Sequence, residues 1–365
     1  MKKKTFAIVS STFSHARAGG VPTYVHCRAT YLSRKHNVVV LALGELHDMP
    51  VDKTEYKKFS LGNHLNFPKC FLVVWLKLII SLLRLGPDYI ECHNIPVSLP
   101  VILIFRFRYF FHGPAGLEAK YERKSRFNVF MSNALELLTF VLSRRVMVIS
   151  HAFKDLAQQL YPRSSKSKLA IRRPRFDTSL TFCRPVLPKP DQNSPLTLLC
   201  VRRLVKRTGV LELVHAFAQT LRDQQLPTNT RMNIVGIGPE LEGIQDAIGE
   251  NRLERHVHLL GKVTDAELTR LYQESHWSIV PSQELEGFGM IVVEAALEGC
   301  PSLVTNVGGL PEVINLLDGY GYVCSKNQAG LMQGLHDISK SLDINRFDLK
   351  LVAHKRFSCA SKRMN

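Results

Sequence analysis

Short continuous apolar runs alternate along this chain with longer segments whose apolar positions recur at helical spacing. The runs Thr5–Ser10, Val38–Leu43, Tyr89–Cys92, Val146–Ile149, Leu196–Val201, Met232–Val235, Trp277–Pro281 and Pro301–Thr305 predict buried strands. Between them, Val21–Leu32, Val97–Phe105, Phe127–Leu142, Ala152–Leu160, Val210–Leu221, Asp265–Gln273 and Met290–Glu298 read as helices. Arg34, Lys35 and His36 close the first of these, where cations are favourable. Thr264 and Glu267 form a capping box for the helix Asp265–Gln273. Strand and helix in regular alternation imply parallel sheets with crossover helices. Arg172–Pro195, with five prolines and little periodicity, is the predicted linker. It divides the chain into domains at 1–180 and 181–351, with a short segment 352–365 after them.

Length and composition fit that division: 365 residues, 45% hydrophobic and 22% charged, suit two α/β domains. The eight cysteines show neither C-x-x-C nor metal-type spacing, so a reduced cytosolic setting is expected. The start MKKKTFAIVSSTF mimics a signal peptide, but its apolar core Phe6–Val9 breaks at Ser10-Ser11-Thr12, and a first buried strand is the better reading. The charge changes the picture more. Residues 1–180 carry 28 Lys+Arg against 11 Asp+Glu, whereas residues 181–365 carry 20 of each, so the net +17 belongs to the first half. Such asymmetry points to a polyanionic partner, nucleic acid or an anionic membrane surface, or to a solvated basic surface.

The stretch Ser282–Glu312, SQELEGFGMIVVEAALEGCPSLVTNVGGLPE, carries the densest chemistry. A loop with Gly287 and Gly289 opens the helix Met290–Glu298, Gly299 stops it, and Gly308-Gly309 opens the next. Glycines let backbone N–H groups approach an anion, and helix starts offer unpaired donors with partial positive charge. Glu286 in the loop and Glu294 inside the helix would repel a phosphate; they suit hydroxyl groups, whose protons they accept. Phosphate plus polyol in one crevice means a nucleotide or nucleotide sugar. Upstream, Arg202-Arg-Leu-Val-Lys-Arg-Thr-Gly209 places four cations before the helix Val210–Leu221, a good diphosphate site. Gly236-Ile-Gly238-Pro239 makes a tight turn on the same side. In the first half an apolar strand delivers His112 to its C-terminal end, where ligands of open α/β sheets bind.

Glu286-x7-Glu294 with EGFG, then EGCP and GGLPE, resembles the signature of the family 4 glycosyltransferases. GGVPTYV from Gly19 resembles that family's first-loop motif, and FHGP around His112 its acceptor-domain loop. The resemblance covers roughly residues 5 to 357. It implies an α/β fold of two Rossmann-like domains facing across a cleft, the glycosyltransferase-B fold. The N-terminal domain would bind the acceptor and the C-terminal one the nucleotide diphosphate sugar. It further implies transfer of a hexose-type sugar with retention of configuration, by front-face attack in which a phosphate oxygen helps deprotonate the acceptor. Catalytic roles fall to His112, near the anomeric carbon, and Glu286, on the donor sugar. Glu294 would take the ribose, and Gly20, Arg203, Lys206, Arg207, Gly236, Gly238, Gly287, Phe288 and Gly289 complete the donor site. Arg203 matches the family's loop arginine, but Thr208 stands where a lysine is usual, so Arg207 or Lys206 must supply the second cation. No D-x-D pair occurs, and neither cofactor nor metal is expected. Residues 352–365 would return toward the first domain, as in family members.

The acceptor implied is a glycan or a lipid-linked glycan of polysaccharide synthesis. Phe71–Leu85 reads as a core helix or one leaning on a bilayer, too short and interrupted for a span. The basic stretch Lys120–Arg126 before the apolar Phe127–Leu142 is the candidate membrane-surface patch. Nucleic acid fits less well, since the basic half lacks a basic-aromatic recognition motif. Two rival readings stand beside transfer: a sugar-nucleotide epimerase of similar architecture, and a transferase-like subunit with little activity that serves a partner protein.

Overall fold

The computed structural model describes residues 3–11, 19–43, 56–61, 67–93, 95–121, 125–165, 168–176, 195–341 and 344–359. Asn94, the centre of the basic stretch at 122–124, most of the predicted linker and residues 360–365 lie outside them. The chain divides into two units, Met1–Asp177 and Thr178–Asn365.

The first unit holds seven parallel strands: β1 Thr5–Ser10, β2 Asn37–Ala42, β3 Lys57–Ser60, β4 Tyr89–Cys92, β5 Arg108–Phe111, β6 Arg145–Val148 and β7 Leu169–Ile171. They lie in the order β3-β2-β1-β4-β5-β6-β7. β1 is central, pairing Thr5 with Asn37 on one side and Phe6 with Tyr89 on the other. Five of its six residues are buried, as expected of a strand covered on both faces. Steps from β1 to β2 and from β4 to β5 run in opposite directions along the sheet. Right-handed crossovers therefore put helix Gly20–Ser33 on one face and helices Phe67–Leu85, Ile95–Ile104 and Arg126–Leu142 together on the other. These three pack side by side in that order.

The second unit repeats the winding with six parallel strands: β8 Thr197–Val201, β9 Arg231–Val235, β10 Val257–Gly261, β11 Trp277–Val280, β12 Ser302–Thr305 and β13 Gly321–Cys324. Their order, β10-β9-β8-β11-β12-β13, reverses between β8 and β11. Helices Val210–Arg222 and Gln328–Lys340 share one face, over a core that includes Leu198, Phe217, Trp277 and Leu335. Tyr272, Ala295 and Cys300 belong to the core cluster of the other face. The capping box supplies its Thr264 half: the hydroxyl accepts from Glu267 N–H at 3.2 Å.

Helix Leu310–Leu316, with Glu312 in its first turn, is followed by β13 and helices Gln328–Lys340 and Arg346–Phe357. One expectation changes. The boundary drawn at 351/352 falls inside helix Arg346–Phe357, and the whole helix belongs to the second unit, packed on helix Met290–Leu297. Asn345 starts it by accepting from the N–H groups of Phe347 and Asp348, a cap of the kind that contributes about 1 kcal/mol. The buried Arg346 holds it in place, donating to the carbonyls of Gly299 at 2.8 Å and Gln273 at 2.9 Å.

Candidate active site

In open α/β sheets the loops at the carboxyl ends of the strands meet where strand order reverses, here between β8 and β11. β8 leads through Arg202–Thr208 into helix Val210–Arg222, and β11 leads through Pro281–Phe288 into helix Met290–Leu297. Both helices begin after a glycine in the left-handed region, Gly209 at φ 73° and Gly289 at φ 86°. A Cβ on Gly209 would strike the Pro281 carbonyl, so the two loops touch backbone to backbone.

Glu286 is fixed within this junction. Its Oε2 lies 2.7 Å from Arg202 Nη2 and accepts from Ser282 Oγ at 3.0 Å, and Arg202 also reaches that hydroxyl at 2.8 Å. Burial opposes ionisation of the carboxyl, but the charge and hydrogen bond of Arg202, with help from Ser282 and Arg207, outweigh it. The group therefore sits below the usual carboxylate range and is anionic. Arg202 keeps its buried Nε without a partner among the described residues. Leu285, just before Glu286, takes φ 52°, a backbone state that a bulky residue adopts only when its surroundings impose it. Arg207 Nη1 reaches its carbonyl at 3.4 Å.

From the other side, Gly308 and Gly309 press against the same loop. Gly309 N–H donates to the Glu286 carbonyl at 2.9 Å, and a Cβ on Gly308, at φ 55°, would collide with that oxygen. Phe288 is 1% exposed, its ring edge-on to Phe357, so the ring anchors the loop from within the core. Glu294 lies buried one turn into the helix that the loop opens.

The predicted cations separate. Arg203 and Lys206 are exposed, while Arg207 is half-buried beside the Glu286 loop. Lys206 stands near Glu240, whose carboxyl is pushed up by burial and by neighbouring Glu212. Thr208 is buried and turns its hydroxyl to the carbonyls of Arg203 and Val205, at 2.7 and 2.6 Å, closing the 3-10 turn Lys206–Thr208. It builds the loop where a lysine would have projected from it. Gly236 and Gly238 pack against the carbonyls of Arg202 and Leu204, and Gly236 N–H is taken by Gly261 O at 2.8 Å, so both glycines seat the cationic loop.

In the first unit Gly20 starts helix Gly20–Ser33 with open space around it. His112 follows β5, and its Nε2 lies 2.8 Å from Nδ1 of His93, which follows β4. Tyr24 packs edge-on to His112 with ring centroids 5.1 Å apart, and its hydroxyl donates to Arg172 O. His93 is buried, and its Nε2 has no partner among the described residues. Burial lowers the His112 pKa to about 3, and burial and His112 hold His93 well below its ordinary value, so the pair is neutral. Ser282 and His93 escaped the sequence reading, which counted Arg202 among four loop cations but not as the partner of Glu286. Ser282 is four residues before Glu286 and Arg202 immediately follows a strand, but neither position signals that the two side chains meet across loops 80 residues apart.

Two family models match the chain: Glycosyltransferase Family 4 over residues 18–174 and Glycosyl transferases group 1 over residues 188–341. Among curated proteins, glycogen synthase of Mycobacterium tuberculosis is 23% identical over 235 residues, 62% of this chain and 54% of that protein. O-antigen chain mannosyltransferase B of Escherichia coli is 30% identical over 183 residues, 47% of this chain and 45% of that protein. The matched stretches thus span about half the length of these relatives. HepE of Anabaena, solved with UDP and glucose, superposes with a TM-score of 0.73 at 16% identity, covering 98% of this chain and 96% of that one.

Proposed function

Because this chain belongs to the family 4 glycosyltransferases, with their glycosyltransferase-B fold, we propose that it moves a hexose from a nucleotide diphosphate sugar to a glycan or lipid-linked acceptor, with retention of configuration. The observation that carries this reading is the held carboxylate of Glu286, kept anionic by Arg202 and Ser282 at the mouth of a glycine-opened helix. A carboxylate so fixed accepts hydroxyl protons of a sugar in one orientation and loses little freedom on binding. Glu294 would take the ribose hydroxyls from inside the same helix.

The departing diphosphate needs positive charge where its own charge develops. Arg203 and Arg207 would supply it, with Lys206 beside them and the helix starts after Gly209 and Gly289 adding their donors. With no D-x-D pair in the sequence, these groups would act in place of a divalent ion. His112, neutral and oriented by His93, would support the positive sugar centre through its polar and backbone groups without adding a charge that opposes it. A uridine diphosphate hexose is the first donor to try, since HepE holds UDP and glucose. The O-antigen chain mannosyltransferase among the relatives supports an acceptor in polysaccharide assembly, and the basic first half suits one presented at an anionic membrane.

The buried Thr208 favours a second reading, a weakly active subunit serving a partner. A thermal-shift screen of nucleotide sugars, wild type beside Glu294→Ala, tests both. Stabilisation by one nucleotide diphosphate sugar, lost in the variant, is expected of the transferase. A flat screen with tight capture of a protein partner would overturn it.

A further inference from the structure

Helix Arg126–Leu142 carries its apolar stripe on the solvent side. Phe127, Phe130, Leu137 and Val141 follow at spacings of three, seven and four residues, which keep one helix side, and all four are exposed, Phe127 and Phe130 by 69% and 67%. The side turned inward holds Phe140 together with Glu136 and Thr139, all three fully buried. The Glu136 carboxyl accepts from Tyr109 and Tyr161 hydroxyls and from Ala115 N–H, so an acidic side chain sits inside beside Phe140 while Phe127 and Phe130 face water. A helix that served its own core alone would show the reverse pattern.

Its neighbours on the same sheet face continue the surface. Leu103 and Ile104 are exposed on helix Ile95–Ile104. On helix Phe67–Leu85, Val74, Leu78 and Leu82 are buried, while Leu72, Leu76 and Leu83 stay in solvent. Singly exposed leucines are ordinary, but three adjacent helices with large apolar side chains on their open sides mark an interaction surface. The cations surround it: Lys77, Arg84, Arg106, Arg126, Arg144 and Arg145 are all exposed. None of the three helices exposes a carboxylate; the one acidic residue among them is the buried Glu136. A second copy docked on this face would set that cationic rim against itself, with no exposed acidic group on the three helices to meet it. Lipid phosphates above an acyl boundary match both features. No helix among the described residues is long and apolar enough to cross a membrane, so the face would lie in the interface.

We propose that this three-helix face docks on the surface of an anionic lipid bilayer, its apolar rows entering the interface and its arginines and lysines meeting the phosphates. The proposal rests on the transferase reading for the identity of the acceptor brought within reach, and not for the binding itself.

The test is co-sedimentation of the full chain with phosphatidylglycerol–phosphatidylcholine vesicles and with phosphatidylcholine vesicles, at low and high salt. Binding at least about tenfold tighter to the anionic vesicles, weakened by salt, is expected. A Phe127→Asp, Phe130→Asp double variant and, separately, Leu72→Asp should each lose about tenfold or more of that binding, with unchanged Tm and unchanged thermal shift by nucleotide sugar. The inference is overturned if the wild type stays in the supernatant with both vesicles, or if both variants sediment like the wild type. It is equally overturned if gel filtration shows a wild-type dimer that the variants turn monomeric while vesicle binding persists. A wild type that sediments as expected but is shifted by no nucleotide sugar would overturn the transferase reading and leave the docking face standing.

Discussion

His93 Nδ1 and His112 Nε2 stand 2.8 Å apart with His93 stacked on Phe110 at a centroid distance of 4.4 Å, so the orientation of the predicted catalytic histidine is set by a second, more deeply buried one. Two neutral imidazoles can share one hydrogen bond only if one donates and the other accepts, and His93 thereby governs the tautomer of His112. His93→Phe keeps the stacking and removes the bond; turnover should fall about tenfold, the effect of losing one hydrogen bond in the transition state. With His112 held at about 3, the rate should show no histidine step between about pH 5 and 8. A step there that His112→Gln abolishes would refute the neutral pair.

Arg202 and Glu286 should behave as one unit. Glu286→Ala is expected to lower kcat about a hundredfold or more by loss of positioning. Arg202→Ala leaves the carboxylate without its counter-charge and should cost a comparable factor. In the double variant the losses should be far from additive, because each single change already breaks the pair. Steady-state kinetics on the four proteins decides; additive losses would separate the two roles.

Glu136 makes stability depend on pH. Burial raises its carboxyl from 4.5 to about 7 against the opposing hydrogen bonds of Tyr161, Tyr109 and Ala115. The folded state then binds the proton more tightly than the unfolded chain, so this contribution is full below pH 4.5 and is lost as pH rises through 7. The loss is on the order of 3 kcal/mol. Calorimetry should show the unfolding transition falling across that window, and Glu136→Gln should flatten it. A variant with the wild-type pH dependence would place the titration elsewhere.

Thr208→Val tests whether this position builds the loop or serves the chemistry. Losing the hydroxyl bonds to Arg203 and Val205 should lower Tm by about 2–4 °C and change turnover by less than about twofold. A large loss of kcat with an unchanged Tm would give the hydroxyl a part in the reaction.

The central strands were legible in the sequence because they are buried on both faces and read as unbroken apolar runs; β1 and β4 lie at their predicted bounds. All four strands that escaped notice, β3, β7, β10 and β13, are the edges of the two sheets. Lys57–Ser60 shows why: an edge strand half open to water needs no apolar run, and charge there discourages pairing with another chain. The loop glycines and Glu286 were legible as a motif, but their partners were not. Arg202 and Ser282 come together only when β8 and β11 pair. Nor could the outward stripe of helix Arg126–Leu142 be told from an ordinary core stripe, since periodicity gives the width of an apolar face and not its direction.

The anchoring of Phe288 against Phe357 bears on how the protein is made. On the ribosome the loop carrying Glu286 emerges well before helix Arg346–Phe357 exists, and the carbonyls that Arg346 later binds, those of Gln273 and Gly299, wait unserved. A nascent chain stopped in the 340s would have every strand of the second sheet yet lack the helix that backs the Glu286 loop. The Glu286 loop is therefore anchored late in synthesis, only after the sheet beneath it has been translated.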